Sequence, residues 1–376
     1  MKFIINRNVF LENLNNVMRA ISSRTTIPIL TGIKLDLSES ELVLTGSDTD
    51  ISIQIKLAAS DDLRIESAGS IVLPARFFSE IVKKLPGKEF SFEVTENFQT
   101  LIKSENSEFT INGLDANNYP RLPEVQNDDN FALGGKVIRE LINQTTFAVA
   151  VQESRPILTG VHFAFAKNTL KAVATDSHRL AQREIELTDG PTGEMNLIIP
   201  GKSLTELSRI IGDTNPAINV KSGDNQILFE IDNISFYSRL LEGNYPDTDR
   251  LLPDTSTTDV TFNISTLANS LDRASLLTHE SRNNVVKLSI DPANSTVVIH
   301  GNSPEIGNVE ENISAKNISG EELEISFNPD YLRDALRASI TDEVVMKFTQ
   351  PLRPFTVVPN QEDLNFVQLI TPVRTF

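Results

Sequence analysis

The segment Thr175-Asp176-Ser177-His178-Arg179-Leu180 sets an acid, a hydroxyl and an imidazole side by side. Those are the groups of hydrolytic serine chemistry, in which His takes the hydroxyl proton and a carboxylate orients the ring. Consecutive residues cannot aim three side chains at one point, so the segment reads as a polar turn rather than a triad. The four histidines, His162, His178, His279 and His300, include no pair at the i, i+4 spacing of a helical metal site. Without cysteine, thiolate metal sites and disulfides are excluded. There is no P-loop and no G-x-G-x-x-G cradle, and no spacing singles out a carboxylate pair as acid and base. The expectation is a binding scaffold that is not an enzyme and carries no metal or cofactor.

The elements that would position such a turn recur three times. Each third opens on a strand with Phe followed by an amphipathic helix, with Phe3, Phe131 and Phe262 spaced 128 and 131 residues apart. The first helices carry the apolar stripes Phe10, Leu14, Val17, Met18, Ile21; Ile138, Leu141, Ile142, Thr145; and Leu267, Leu271, Ala274. After each helix comes a basic corner feeding a strand: SSRTTIPILTG with Arg24, QESRPILTG with Arg155 and HESRNN with Arg282. Alternating strands such as ISIQIKL from Ile51 follow, one face apolar and one polar. A second helix has stripes Phe78, Ile81, Val82, Leu85; Leu204, Leu207, Ile211; and Leu332, Leu336, Ile340. The first two copies close on NYP turns at Asn118 and Asn244, while the third runs into a β-like tail, FVQLITPVRTF. This predicts an α+β fold of three tandem domains, 1–125, 126–253 and 254–376, with polar, Pro-containing linkers.

No signal peptide opens the sequence and no apolar run approaches a membrane span, so the expected location is cytoplasmic and no membrane partner is expected. A net charge of −17 looks hostile to nucleic acid, but the charge is segregated. Residues 7–24 hold Arg7, Arg19 and Arg24 against Glu12, and 76–84 hold Arg76, Lys83 and Lys84 against Glu80. Residues 136–149 and 202–212 are each +1, and the third pair, 264–282 and 328–338, is neutral. The six helices together carry +6, which leaves −23 on strands and loops. Solvated helix faces would give the same count. Six helices lining one side would instead make a cationic track suited to phosphates of any sequence.

TDSHRLAQREI after Thr175, EGNYPDTDRLLP after Glu242 and the terminal LITPVRTF resemble the β sliding clamp of the bacterial replicative DNA polymerase, and the resemblance runs the full length. It implies two helices on antiparallel sheets in each domain. It further implies a head-to-tail homodimer forming a six-domain ring that encircles double-stranded DNA without reading its sequence. The implied partners are the replicative polymerase catalytic subunit, the clamp loader, repair polymerases and mismatch-repair proteins.

Carried over position by position, the family's partner-peptide pocket falls on Leu158, Thr175, Ser177, His178, Arg179, Leu180, Pro246, Arg250, Leu251, Asn328, Tyr331, Leu369, Thr371, Pro372, Val373 and Arg374. The resemblance makes Leu158, Leu180, Leu251 and Pro372 an apolar floor; periodicity alone reads the three leucines as core. Thr371 stands where the family commonly has an apolar residue. The family's DNA contacts fall on Arg24, Arg76, Lys83, Gln152 and Lys202, and its ring joint on Leu276 and Leu277 facing Phe109 and Ile111 of the partner. Helix core fits Leu276 and Leu277 equally well. The rival reading, an acidic adhesion or enzyme scaffold, needs a secretion signal or a clustered acid and base pair, and neither is visible.

Overall fold

A computed structural model describes residues 1–122, 125, 130–152, 154–188, 190–191, 193–279 and 284–374. Arg282, the third basic corner, lies outside the described residues, as do Gln126 at the first expected boundary and the last two residues of the tail. The first repeat comprises β1 (Lys2–Asn6), α1 (Arg7–Val17), β2 (Gly32–Leu37), β3 (Glu41–Ser47), β4 (Ile51–Ala58), β5 (Leu63–Ser67) and β6 (Gly69–Pro74). It ends with α2 (Ala75–Lys84), β7 (Glu89–Val94), β8 (Gln99–Ser104) and β9 (Ser107–Asn112). The second comprises β10 (Asn130–Gly134), α3 (Gly135–Thr145), β11 (Gly160–Ala166), β12 (Thr169–Thr175) and β13 (Arg179–Glu186). There follow β14 (Met195–Pro200), α4 (Gly201–Ile211), β15 (Ala217–Ser222), β16 (Gln226–Ile231) and β17 (Ile234–Arg239). The third opens with β18 (Thr258–Asn263), α5 (Ile264–Thr278), β19 (Val286–Asp291), β20 (Thr296–Ser303), β21 (Gly307–Asn312) and β22 (Asn317–Gly320). It closes with β23 (Leu323–Phe327), α6 (Pro329–Ala338), β24 (Glu343–Phe348), β25 (Phe355–Pro359) and β26 (Phe366–Ile370).

Helix starts follow local chemistry. Asn6, Asn263 and Asn328 cap α1, α5 and α6 by accepting hydrogen bonds from backbone N–H groups of the first turn. The apolar stripes turn inward: Phe10, Leu14, Val17, Phe78, Val82, Leu204, Leu207, Leu267, Leu271, Leu332 and Leu336 are all buried. The expected stripe of the last helix overreached. Helix α6 stops at Ala338, Ser339 is extended (ψ 137°), and Ile340 is 54% exposed beyond the end. The first repeat has an aromatic core in which Phe10 meets Phe78 and Phe90 edge-on at 5.6 and 5.3 Å, and Phe3 stacks on Phe92 at 4.7 Å.

The chain packs as two compact units, Met1–Arg139 with Lys202–Leu240, and Glu140–Gly201 with Leu241–Phe376. In each, one long antiparallel sheet crosses a junction between repeats. In the first unit the order is β10-β15-β16-β17-β4-β3-β2-β6, and in the second β14-β11-β12-β13-β26-β25-β24-β18-β22. The two junctions share one register: Ile51, first residue of β4, pairs with Ser238, fifth of β17, and Arg179, first of β13, pairs with Ile370, fifth of β26. The smaller sheets, β5-β1-β7-β8-β9 and β21-β20-β19-β23, leave β9 and β21 as open edges. By position in their repeats, β9 matches β17 and β26, and β21 matches β4 and β13.

Candidate functional site

The TDSHR segment is a tight turn between β12 and β13. Asp176 Oδ1 accepts from the N–H groups of His178 (2.9 Å) and Arg179 (3.0 Å), and Thr175 Oγ1 donates to Arg179 O (2.7 Å). Ser177 takes a left-handed conformation (φ 78°), which leaves its hydroxyl to accept from Arg155 Nη1 at 3.1 Å. Asp, Ser and His therefore build a loop and no triad. The first repeat uses the same device: Asp48 Oδ1 accepts from Asp50 and Ile51 N–H, both at 2.8 Å.

Arg179 was expected at the peptide surface, yet its side chain is only 12% exposed and fully engaged. Its Nε donates to Asp176 (3.0 Å) and its Nη1 to Asp334 on α6 (2.6 Å), while the guanidinium lies 4.8 Å from the centroid of the Tyr331 ring. It is a bracket tying the turn to the third repeat. Asp334 was not singled out from sequence, because an Asp on a polar helix face carries no signal of a partner 155 residues away. His178 is exposed and lies parallel to the Tyr331 ring, centroids 6.3 Å apart.

Beneath the turn, Leu180 and Leu369 face each other across the junction and cluster with Val173, Tyr245 and Leu252. Leu252, not Leu251, packs here; Leu251 is 51% exposed at the rim, with Pro246 and Arg250 also exposed. All three side chains of the short 3-10 turn Asp249–Leu251 are exposed, and Leu252, just past its end, is the one that packs inward. Leu158 is buried. Tyr245 receives a hydrogen bond from Thr175 N–H at 3.1 Å, and burial pushes its phenol up to about 12, so it stays a neutral spacer. The segment after β26 folds over the turn: Thr371 donates from N–H (2.9 Å) and Oγ1 (2.7 Å) to His178 O, and Val373 N–H donates to Ser326 O (2.7 Å). Pro372 and Val373 are half-buried and Arg374 is exposed. Asn328 sits beside them as the cap of α6. Val173, Leu180 and Leu369, with Tyr245 and Leu252, thus form one apolar cluster, and among the neighbouring positions His178, Pro246, Arg250, Leu251 and Arg374 are exposed.

Residues 1–123 match the family described as DNA polymerase III beta subunit, N-terminal domain; residues 132–247 match its central domain and 249–374 its C-terminal domain. The chain belongs to the beta sliding clamp family. Among clamps it resembles, one from Staphylococcus epidermidis is 48% identical and one from Staphylococcus aureus 46% identical, each over 100% of both chains. The crystal structure of the Bacillus subtilis DNA polymerase sliding clamp aligns over 100% of both chains with a TM-score of 0.96 and 48% identity. A sliding clamp has three tandem domains and no need of catalytic groups. Among the described residues no three His, Asp or Glu side chains gather as a metal site, and no helix is long and apolar enough to cross a membrane.

The clamp's expected DNA contacts, Arg24, Arg76, Lys83, Gln152 and Lys202, are all exposed. Lys83 pairs with Glu80 at 3.3 Å, and Lys202 stands 3.9 Å from Asp48. The Lys83–Glu80 pair is exposed on both sides, and the Lys202 ammonium is exposed although its Asp48 partner is not; exposed pairs of the first kind are weak. At the open edges, Phe109 on β9 is 37% exposed, and Leu276 on α5 is 71% exposed, so it is surface and not helix core. Ile111 and Leu277 are intermediate.

Proposed function

We propose that this sliding-clamp family member works as a head-to-tail homodimer that closes into a ring around duplex DNA and tethers the replicative polymerase without catalysing a reaction itself. The observation that carries the ring is the repeated joint. Two of the three repeat junctions are made by the same strand pair in the same register, and the strands that would make the third, β21 and β9, are both unpaired edges. A second copy presents β9 to β21, with Phe109 and Ile111 beside Leu276 and Leu277. An edge of this kind is otherwise a liability.

Domain boundaries at 125/126 and 253/254 fit this scheme. Exposed cations on the helices supply weak, sequence-blind phosphate contacts, so the ring slides while topology holds it. The cluster under the TDSHR turn docks one partner peptide at a time, from the polymerase catalytic subunit, the clamp loader, repair polymerases or mismatch-repair proteins. The work is cytoplasmic. The test is retention on DNA: loaded protein stays on a nicked circle through a gel-filtration column and is lost once the circle is cut. Equal loss from circle and line would refute the topological reading.

A further inference from the structure

The face of the second junction that holds the peptide floor does not end at Leu180. Side chains two apart on a strand share a face, so Gln182 and Glu184 on β13 continue the side of Leu180. Across from them Val367 continues the side of Leu369, followed by Val358 on β25 and Val345 and Lys347 on β24. These residues line an open cavity of about 590 Å³, together with Pro359, the loop residues Asn360–Glu362, Leu364 and Asn365, and Phe366. From Leu180 to Glu184 is about 13 Å at about 3.3 Å per residue, the length of four extended residues.

We propose that this cavity is a second docking subsite, occupied by the residues that flank the partner peptide when that peptide sits under the TDSHR turn. The proposal rests on reading that cluster as the partner site. Continuity is the first argument: one sheet face carries both, with no element between them. The second is charge. The lining holds two carboxylates, Glu184 and Glu362, and one cation, Lys347, so the cavity favours a Lys or Arg side chain beside the apolar walls of Val345, Val358 and Val367. Because β13 and β26 are both paired on each side, the segment lies across the face and does not add a strand. The matching junction in the other unit has a groove of about 480 Å³ lined by Lys56, Glu230 and Asn233, but its turn lacks a His178 and an Arg179.

The test uses the full-length clamp and two synthetic forms of the polymerase's clamp-binding segment: a short form limited to the docking residues, and a long form with eight natural residues added at each end. Fluorescence anisotropy should show the long form binding about tenfold tighter. Val358→Arg, which fills the groove, and Glu184→Lys, which reverses its charge, should each bring the long form to the affinity of the short one and move the short form less than twofold. A long form with no advantage, or an advantage untouched by both variants, overturns the subsite alone. A short form whose affinity is unchanged by Arg374→Ala with removal of the last two residues sinks the pocket reading, and the subsite with it.

Discussion

Thr110→Pro should unmake the dimer while leaving the subunit folded. The phase of the β8–β9 ladder is set by Gly113 N–H donating to Phe98 O at 2.8 Å. With Ile102 opposite Phe109 and Thr100 opposite Ile111, the amides of Phe109 and Ile111 face β8, and those of Glu108, Thr110 and Asn112 face outward. On β21, Ile313 N–H donates to Val297 O at 2.8 Å, which turns the amides of Asn308, Glu310 and Asn312 outward. A proline at 110 or 310 therefore removes a donor that the isolated subunit does not use, and an edge strand tolerates it. In the joint it deletes one N–H···O bond, and the ring crowds the neighbouring bonds, for roughly 1–3 kcal/mol per joint. Two joints per ring make roughly 2–6 kcal/mol, a dimer weaker by about 30-fold to 10⁴-fold.

Sedimentation velocity over a concentration series reads this, with thermal melting as the fold control. Thr110→Pro and Glu310→Pro should each sediment as monomers, and Thr110→Ala, which keeps the amide, should remain dimeric. A mixed dimer collects both prolines in one joint, where the loss is capped at what that joint contributes. An equimolar mixture of the two variants keeps one native joint, in which Thr110 of one chain and Glu310 of the other are both intact, and should recover dimers. A dimer that survives Glu310→Pro but not Thr110→Pro would mean that β9 pairs with itself. That result, or a mixture that stays monomeric, would refute head-to-tail closure.

Arg179→Ala should destabilise the second unit by about 2–4 kcal/mol, because it strands the carboxylates of Asp176 and Asp334. Calorimetry should show a loss of at least about 5 °C, and Arg179→Lys should recover less than half, since one ammonium cannot fork to both acids. On β21, hydrogen bonds from Arg273 and then Ser270 hold Glu311 down to about 2 from an ordinary 4.5. A depressed carboxylate adds stability above its unfolded pKa and loses it as pH falls through the folded one. In the Thr110→Pro monomer, the Tm gap to an added Glu311→Gln should hold steady from about pH 7 to 5 and close between about pH 4.5 and 2; a gap constant to pH 2 would contradict the assignment. Replacing Arg24, Arg76, Lys83 or Lys202 by Ala should lower the salt dependence of DNA binding by up to about 0.9 per phosphate contact, equally for any sequence. A residue whose loss changes sequence preference would not be a phosphate contact.

The repeats were legible because each buries its own stripes: Phe10, Leu14 and Val17 need only their own helix and sheet to be read as core. What lay hidden was non-local. Periodicity carried the third stripe on to Ile340, since nothing in the spacing says that Ser339 turns extended. It read Leu251 as core, whereas Leu251 is exposed at the end of a three-residue 3-10 turn and Leu252 packs instead. Nor could it tell a buried Leu276 from the exposed one observed, because core and joint demand the same residue type. Arg179 shows the opposite failure: its motif was conspicuous, but its role depends on Asp334 and Tyr331, more than 150 positions on.

The two internal junctions share a register and an Asp-centred turn, so neither feature makes a partner site. Their difference lies in what stands in the turn and where the incoming strand goes next. At the first, Asp50 and Ile51 occupy the places of His178 and Arg179. After β17 the chain runs off, Leu240 N–H bonding to Asn225 O and Leu241 N–H to Ile198 O. At the second, Arg179 reaches a carboxylate and a ring on α6, and the segment after β26 doubles back, its Thr371 tied to the turn and its Val373 to β23. The guanidinium bracket fixes the turn against the third repeat, the returning segment supplies a second wall, and His178 is left exposed between them. The second joint thereby gains an exposed histidine and a returning segment that the first joint lacks.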